Sequence, residues 1–319
     1  MKKMCNKRAV AAMTTALTMV VICGSALAGG LLAVPFDAGN FGASKSVDNP
    51  YWPLAPGMTA TTFIYLGETE DGCVFDRIES RPALIKMFSA APYDGVMPLV
   101  VVDTEWEVEM ECDAIRDELE TDRDWTPEED LSELTHDWYA EDGFENIWYM
   151  GEASRDFGDV EIGGEEVPCP SLDEVPLGTA RGDWPEVEPG SDDLFLACTA
   201  GSWEAGQPGQ EEGEIVGVPG IVVPSDTPFG DDTGTPLAPG NYWMQEVAEG
   251  AQDMAKVLRT TAPLEDYEAC RKVKEWNPFD HGASIEHKWY CMDGPGLVLT
   301  ESVGGGPTET EELALVFSP

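Results

Sequence analysis

Alternation dominates the apolar pattern of this chain. Thr59 to Glu68 puts Phe63 and Tyr65 on one face, and Leu99 to Val102 reads as the start of a buried strand. That strand is expected to continue to Cys112. Glu105, Glu107, Glu109 and Glu111 would then share one face and Trp106, Val108, Met110 and Cys112 the other, because successive strand side chains point to opposite sides. Three hairpins follow from paired runs across turn residues. Cys270–Trp276 pairs with Ile285–Cys291 around residues 277–284, and Trp138–Ala140 pairs with Ile147–Tyr149 across Glu141-Asp142-Gly143. Leu297–Val303 pairs with Glu312–Phe317 across Gly304-Gly305-Gly306-Pro307.

Helical patterning is sparse. Ala114–Leu119 and Pro127–Leu134 are short candidates, the second with Thr126 as an N-cap ahead of Pro127. Ala248–Leu258 is the better candidate, with Ala251, Met254, Ala255 and Leu258 on one stripe suited to core packing. Many short strands with few helices predict a mainly β, antiparallel fold.

Residues 1–28 read as an export signal. Lys2, Lys3, Lys7 and Arg8 precede an apolar run from Ala9 to Cys23, and Ser25-Ala26-Leu27-Ala28 offers small residues for cleavage before Gly29. The run is shorter than the ~20 residues a membrane span needs. Cys23 could instead carry a lipid, but Ile22 stands where a lipoprotein peptidase wants Gly or Ala. No later stretch is apolar enough to span, so an extracellular or periplasmic protein is expected. Residues 29–46 read as a flexible linker and 47–319 as one β-rich domain.

Beyond Cys5 and Cys23, the six cysteines of an exported chain favour disulfides over thiols. Six allow 15 pairings, which local pattern narrows. Folding the 270–291 hairpin sets Cys270 opposite Cys291. Cys169 and Cys198 bracket a Pro/Gly/Asp-rich segment that they could clasp, which leaves Cys73 for Cys112. No Cys-x-x-Cys or Cys-x-x-His spacing supports zinc or c-type haem.

The chain has 61 acidic residues against 18 basic, a net charge of −43 and a pI near 4.1, so nucleic acid and anionic membranes are poor partners. Apolar residues make up 42%, enough to build a core. From Asp103 to Glu145 a dense run of acids faces Arg116 and Arg123 alone. A solvated face explains this run, and cation binding is the sharper reading. No Asp-x-Asp-x-Asp-Gly loop occurs, so divalent cations are expected only as weak partners. Uniform acidity also fits a protein working in high salt, where self-repulsion is screened.

Catalytic motifs are absent: there is no Walker loop, G-x-G-x-x-G, His-Glu-x-x-His or G-x-S-x-G. Of His136, His281 and His287, the last neighbours Glu286 on a strand, so the two point apart and cannot share an ion. Paired carboxylates for glycoside hydrolysis remain open, since acids lie beside aromatics at Asp137, Glu204, Glu275 and Glu286.

Several strings occur in a familiar order: Asn49-Pro-Tyr-Trp-Pro-Leu54, Asp137-Trp-Tyr-Ala-Glu-Asp142, Trp148-Tyr-Met-Gly-Glu152, Ser202-Trp-Glu-Ala-Gly206, Gln245-Glu246, Gln252-Asp-Met-Ala255, Glu275-Trp276, Glu286-His-Lys288 and Gly296-Leu-Val298. Over about residues 48–303 the chain resembles a widespread family of uncharacterised exported bacterial proteins and lipoproteins. The resemblance implies export, a curved antiparallel sheet and no established reaction. The expected fold is therefore mainly β, a curved antiparallel sheet or partly open barrel with one or two short helices. Against the family, residues 164–200 look like an insertion with Cys169 and Cys198 near its ends, which favours the clasp. The strings also nominate a polar cluster of Asp137, Glu204, Glu246, Asp253, Glu275, Glu286 and His287.

The reading that follows is an exported, disulfide-stapled binding or surface-interaction module without catalysis and without a cofactor, its protein or saccharide partner open. A hydrolase using paired carboxylates or a metal on polysaccharide is one rival, and a structural subunit of an extracellular assembly is the other. The charge excess makes a direct prediction. Thermal unfolding followed by circular dichroism is expected to shift to higher temperature as NaCl is raised, and a flat or falling trend would remove the high-salt reading.

Overall fold

The computed structural model describes residues 30–43, 45–69, 72–127, 131–162, 165–171, 174, 194–199, 202–208, 216–230, 236–248, 252–264, 267–279, 282, 284–304 and 309–318. The expected signal, residues 1–28, and His281 lie outside them.

The strands are β1 (Thr62–Glu68), β2 (Cys73–Arg81), β3 (Leu99–Val108), β4 (Glu133–Glu141), β5 (Ile147–Asp156), β6 (Asp159–Ile162), β7 (Glu165–Pro168), β8 (Trp203–Glu204), β9 (Val218–Val223), β10 (Tyr242–Met244), β11 (Glu246–Val247), β12 (Met254–Leu264), β13 (Tyr267–Trp276), β14 (Ile285–Cys291), β15 (Gly296–Ser302) and β16 (Glu309–Phe317). Thirteen of them form one row, β10-β12-β13-β14-β15-β16-β1-β2-β3-β4-β5-β9-β11, with β8 added on β5 and β6–β7 a separate hairpin. All these pairings are antiparallel, and β1 pairs with β16 to bring Thr62 opposite Phe317.

The two ends of the row, β10 and β11, are consecutive in the chain. Met244 pairs with Met254 of β12, whereas Glu246 pairs with Pro219 of β9. At Gln245 the chain therefore leaves one end of the sheet and joins the other. Its backbone N–H donates to Asp253 O at 2.8 Å and its side chain reaches Val222 O at 3.5 Å. The result is a nearly closed barrel with one unsealed seam. Gly220 permits this crossing, since a Cβ there would stand 2.3 Å from Met244 O.

Alternation sorts side chains into the barrel or onto its outside. Helix α1 (Cys112–Thr121) lies on the outer face of β1–β3, where Cys112, Ile115 and Leu119 pack with Ile64, Leu66, Phe75, Trp106 and Val108. The segment before β1 fills one end of the lumen. Trp52 sits 5.3 Å from Tyr139 on β4 and 6.4 Å from Tyr290 on β14, two strands on opposite sides of the row, so its indole spans the interior. Tyr51, Leu54 and Ala55 are buried with it. Glu141 anchors this plug by accepting from the Asp48 and Asn49 backbone N–H groups. Arg271, fully buried, stacks on Tyr51 at 3.6 Å and pairs with Asp226 at 2.7 Å.

All three expected disulfides are present: Cys73–Cys112, Cys169–Cys198 and Cys270–Cys291. In this β-barrel they suggest an exported protein in an oxidising compartment outside the cytoplasm. Each closes a loop of 21 to 39 residues, which restricts the unfolded chain by about 3–4 kcal/mol per bridge on the loop-entropy model. Cys169–Cys198 joins the end of the β6–β7 hairpin to helix α2 (Leu194–Cys198) in a small cluster of its own.

The three predicted hairpins form, and Cys270 stands opposite Cys291 as expected. In the last hairpin Leu299–Ser302 pairs with Glu309–Glu312, so of the expected Glu312–Phe317 run only Glu312 meets β15, and the residues beyond it pair with β1. Four expectations need correction. Ala248–Leu258 is not a helix: from Met254 it is strand β12, whose Ala255 and Val257 are buried on alternate positions while 249–251 lie outside the described residues. Two small residues a helical turn apart imitated a stripe, and the β-branched Val257, Thr260 and Thr261 decided for strand. Pro127–Leu134 is not a helix either, because Glu133 and Leu134 already belong to β4; residues 128–130 lie outside the described residues. The strand through Cys112 stops at Val108, and α1 takes over from Cys112. The segment expected to be a flexible linker packs: Leu32 is buried, and Phe36 and Phe41 lie 5.3 and 6.1 Å from Trp148.

Because Trp52 bridges opposite walls, Trp52→Ala is expected to lower the unfolding free energy in urea by about 3–5 kcal/mol. A loss under about 1 kcal/mol would mean the plug is not part of the core.

Candidate functional site

Beyond the plug the lumen becomes polar. A cavity of about 230 Å³ is floored by Trp52 and lined by Asp76 and Ile78 of β2, Val101 and Asp103 of β3, Asp137 and Tyr139 of β4, Glu286 and Lys288 of β14, Leu297 and Thr300 of β15, and Glu311 of β16. A second space of about 150 Å³ shares Glu286, Thr300 and Glu311 with it and opens between Gly67–Thr69, Glu105, Ser302 and Thr310. The two form a mouth and a chamber at the end of the barrel away from the plug.

Strand alternation places these groups. On β3 the positions inward of Leu99 and Val101 continue as Asp103 and Glu105, while Trp106 and Val108 turn out toward α1. The Glu105 carboxylate, expected on a solvated face, is thus turned into the barrel. On β14, Glu286, Lys288 and Tyr290 face in and His287 faces out, where it stands 3.8 Å from Glu301 and beside Trp289.

Lys288 is the cation of this lining. Its ammonium lies 2.9 Å from Glu275 and 3.3 Å from Glu286. Burial by itself would lower its pKa, but those two carboxylates more than reverse this and hold it well above the ordinary value. The acids farther round the wall are neutralised less: Lys288 lowers Glu311, but by less than burial and Asp103 raise it. Burial first, then the Asp103 and Glu311 charges, hold Asp76 well above the usual carboxylate range. Asp76 Oδ1 is buried with no donor directed at it, so its carboxyl forms a hydrogen bond to Asp103 only by carrying a proton itself. Asp137 is raised by burial and by Glu152, and Tyr149 Oη bridges the two at 2.7 Å each. Burial and neighbouring acids push Glu311 and Glu152 up to about 7.

Toward the seam the acidic wall continues. Glu246 is pushed up to about 8 by burial, then by Glu152 and Asp253, and it shares a hydrogen bond with Asp253. Asp253 is raised by burial and Glu275. The buried Trp203 Nε1–H is directed at the Glu246 carboxyl and favours its charged form, a smaller effect than burial and the neighbouring acids.

Of the nominated cluster, Asp137, Glu246, Asp253, Glu275 and Glu286 face this one interior. Glu204 does not: it pairs with Lys86 at 2.6 Å, and Lys86 lies 3.6 Å over the Trp138 ring on the outer face. His287 does not either. Sequence reasoning missed Asp76, Asp103, Glu105, Glu152, Lys288 and Glu311. The available signal was their position in the alternation, in step with inward apolar residues such as Ile78, Val101 and Leu297. Among the described residues no three His, Cys, Asp or Glu side chains converge to hold a metal ion. Glu275 and Glu286 approach each other closely, but the Lys288 ammonium fills the space a glycosidic oxygen would need.

No family model, curated protein or solved structure matches this chain.

The raised carboxyl pKa values set a pH dependence. A carboxyl whose folded pKa lies above its unfolded value binds its proton more tightly when folded. Its contribution is complete below the unfolded pKa near 4.5 and is lost as pH rises through the folded pKa, about 7 for Glu141, Glu152 and Glu311 and about 8 for Glu246. The melting temperature is therefore expected to fall by roughly 5–10 °C from pH 5.5 to 8.5, with Glu246→Gln removing part of the fall above pH 7. A melting temperature that rises over this range would contradict the buried lining.

Proposed function

We propose that this protein is an exported, disulfide-stapled barrel that binds a small molecule in its lumen and does not catalyse a reaction on it. The observation that carries this reading is the chamber between the Trp52 plug and the open mouth. It combines rigid walls from six strands, a few aromatic and aliphatic surfaces, and polar groups that converge on enclosed space. Ligand sites built on strands hold their geometry more tightly than sites on loops.

Two features favour binding over the rivals. The cross-strand pair Glu275 and Glu286 is bridged by Lys288, which suits a fixed electrostatic wall better than an acid and base working in turn. The strands at the two ends of the row are only three (β10) and two (β11) residues long, and short edge strands are poor templates for assembly.

Thr300 lines both mouth and chamber, so Thr300→Trp is the blocking variant. In a thermal-shift screen of chemically diverse small molecules, at least one class is expected to raise the melting temperature of the natural protein and not of Thr300→Trp. A ligand present at 100 times its Kd adds about 2.7 kcal/mol. Hits that ignore the blocking variant, or a screen with none, would overturn the lumen reading. Release of reducing ends from a polysaccharide, abolished by Glu275→Gln, would favour the hydrolase.

A further inference from the structure

The chamber's charge selects among small molecules. Five carboxylates line it, from Asp76, Asp103, Asp137, Glu286 and Glu311, against one ammonium. That ammonium is committed to the Glu275 and Glu286 side of the wall, and Asp137 is held by the Tyr149 hydroxyl. Among the described residues no cation stands beside Asp76 and Asp103, which meet only through a proton that Asp76 itself holds, and the Asp76 Oδ1 atom, buried on the chamber wall, receives no donor from another side chain or backbone group. A buried acceptor without a donor is costly, which makes it a marker for an absent partner. The rings of Trp52 and Tyr139 bound the same space.

We propose that the ligand is a small organic amine, its ammonium seated between Asp76, Asp103 and Glu311 with its carbon chain against Trp52 and Tyr139. The proposal rests on the lumen reading above and names its ligand class. An ammonium supplies what the wall lacks: donors in several directions, one positive charge, and a partner for aromatic faces. Lys288 is the same chemistry already present in the chain, an ammonium gripped by two carboxylates. A coordinated metal suits the site less well, because the acids are splayed along strands and, among the described residues, no three of them converge. The volume, about 230 Å³, lies below the ~300–1,000 Å³ of drug-sized pockets and suits an amine of few carbons.

The test is titration calorimetry on the full folded chain at pH 8 in about 0.5 M NaCl, which screens loose association with the acidic surface. Probes are n-butylamine, 1,4-diaminobutane, 1-butanol, butyrate and Ca²⁺. One-to-one binding of at least one amine is expected, with butanol and butyrate at least tenfold weaker. Asp103→Asn should weaken the amine at least tenfold, and Thr300→Trp should abolish it. Both variants are checked by circular dichroism, and Asp103→Asn is expected to melt no lower than the natural protein because it removes a repelling charge.

Equal binding of butanol, or tighter binding of Ca²⁺ that Asp103→Asn removes, would overturn the amine while leaving a ligand in the lumen. Amine binding that survives Thr300→Trp would put it outside the barrel and overturn the proposal. If no amine binds but another compound does so in a Thr300→Trp-sensitive way, the ligand class fails and the lumen reading stands. If nothing binds, both fail.

Discussion

Thirteen strands curled into one nearly closed barrel enclose more room than their own inward side chains can fill, and the way that room is divided governs the rest of this molecule. The segment before β1 occupies one end, with Trp52 wedged between Tyr139 and Tyr290 from opposite walls. The plug turns a wide barrel into two compartments. One is a packed aromatic and aliphatic core, and the other is a chamber whose floor is that core's upper surface.

The chamber runs against the usual economy of folding. Buried carboxylates without counter-charges are unfavourable, and here they crowd one another from β2, β3, β4, β5, β11 and β16. The protein accommodates them by holding protons that surface acids would release, and by placing Lys288 where two of them meet. The compensating stability lies elsewhere. Disulfides Cys73–Cys112 and Cys270–Cys291, the α1 cluster on the outer face and the Arg271–Tyr51–Asp226 stack all stand outside the acidic chamber.

Charge in this protein therefore has two separate meanings. Acids such as Glu107, Glu109 and Glu111 are spread over the surface, where salt screens them and no specific partner is implied. Acids such as Asp76, Asp103 and Glu311 are withdrawn from water, and there each neighbour matters. Composition cannot separate the two populations, since both add equally to the net charge. Position along a strand separates them, because an inward acid falls in step with an inward Val or Ile.

Local sequence sufficed wherever partners lie close in the chain. The hairpin that sets Cys270 against Cys291 and the β4–β5 hairpin follow from a short run of pattern around a turn, and the clasp of Cys169 to Cys198 follows from the loop-rich segment the two bracket. The same local reasoning failed for residues 248–258. There two apolar periods overlap, and only pairing with β13 on one side and β10 on the other makes the strand. Closure was beyond the sequence altogether. Nothing near Gln245 announces that the chain will leave β12 for β9 there, and nothing near Thr62 names Phe317 as its partner. The polar cluster divides in the same way. The acids were visible one by one, but whether Asp137 shares a space with Asp76 while Glu204 lies outside depends on which faces the closed barrel turns inward. Alternation, turns and cysteine spacing thus came from the chain itself, because they are governed by neighbours. The lumen came from contacts between residues far apart in sequence, because only a closed sheet has an inside.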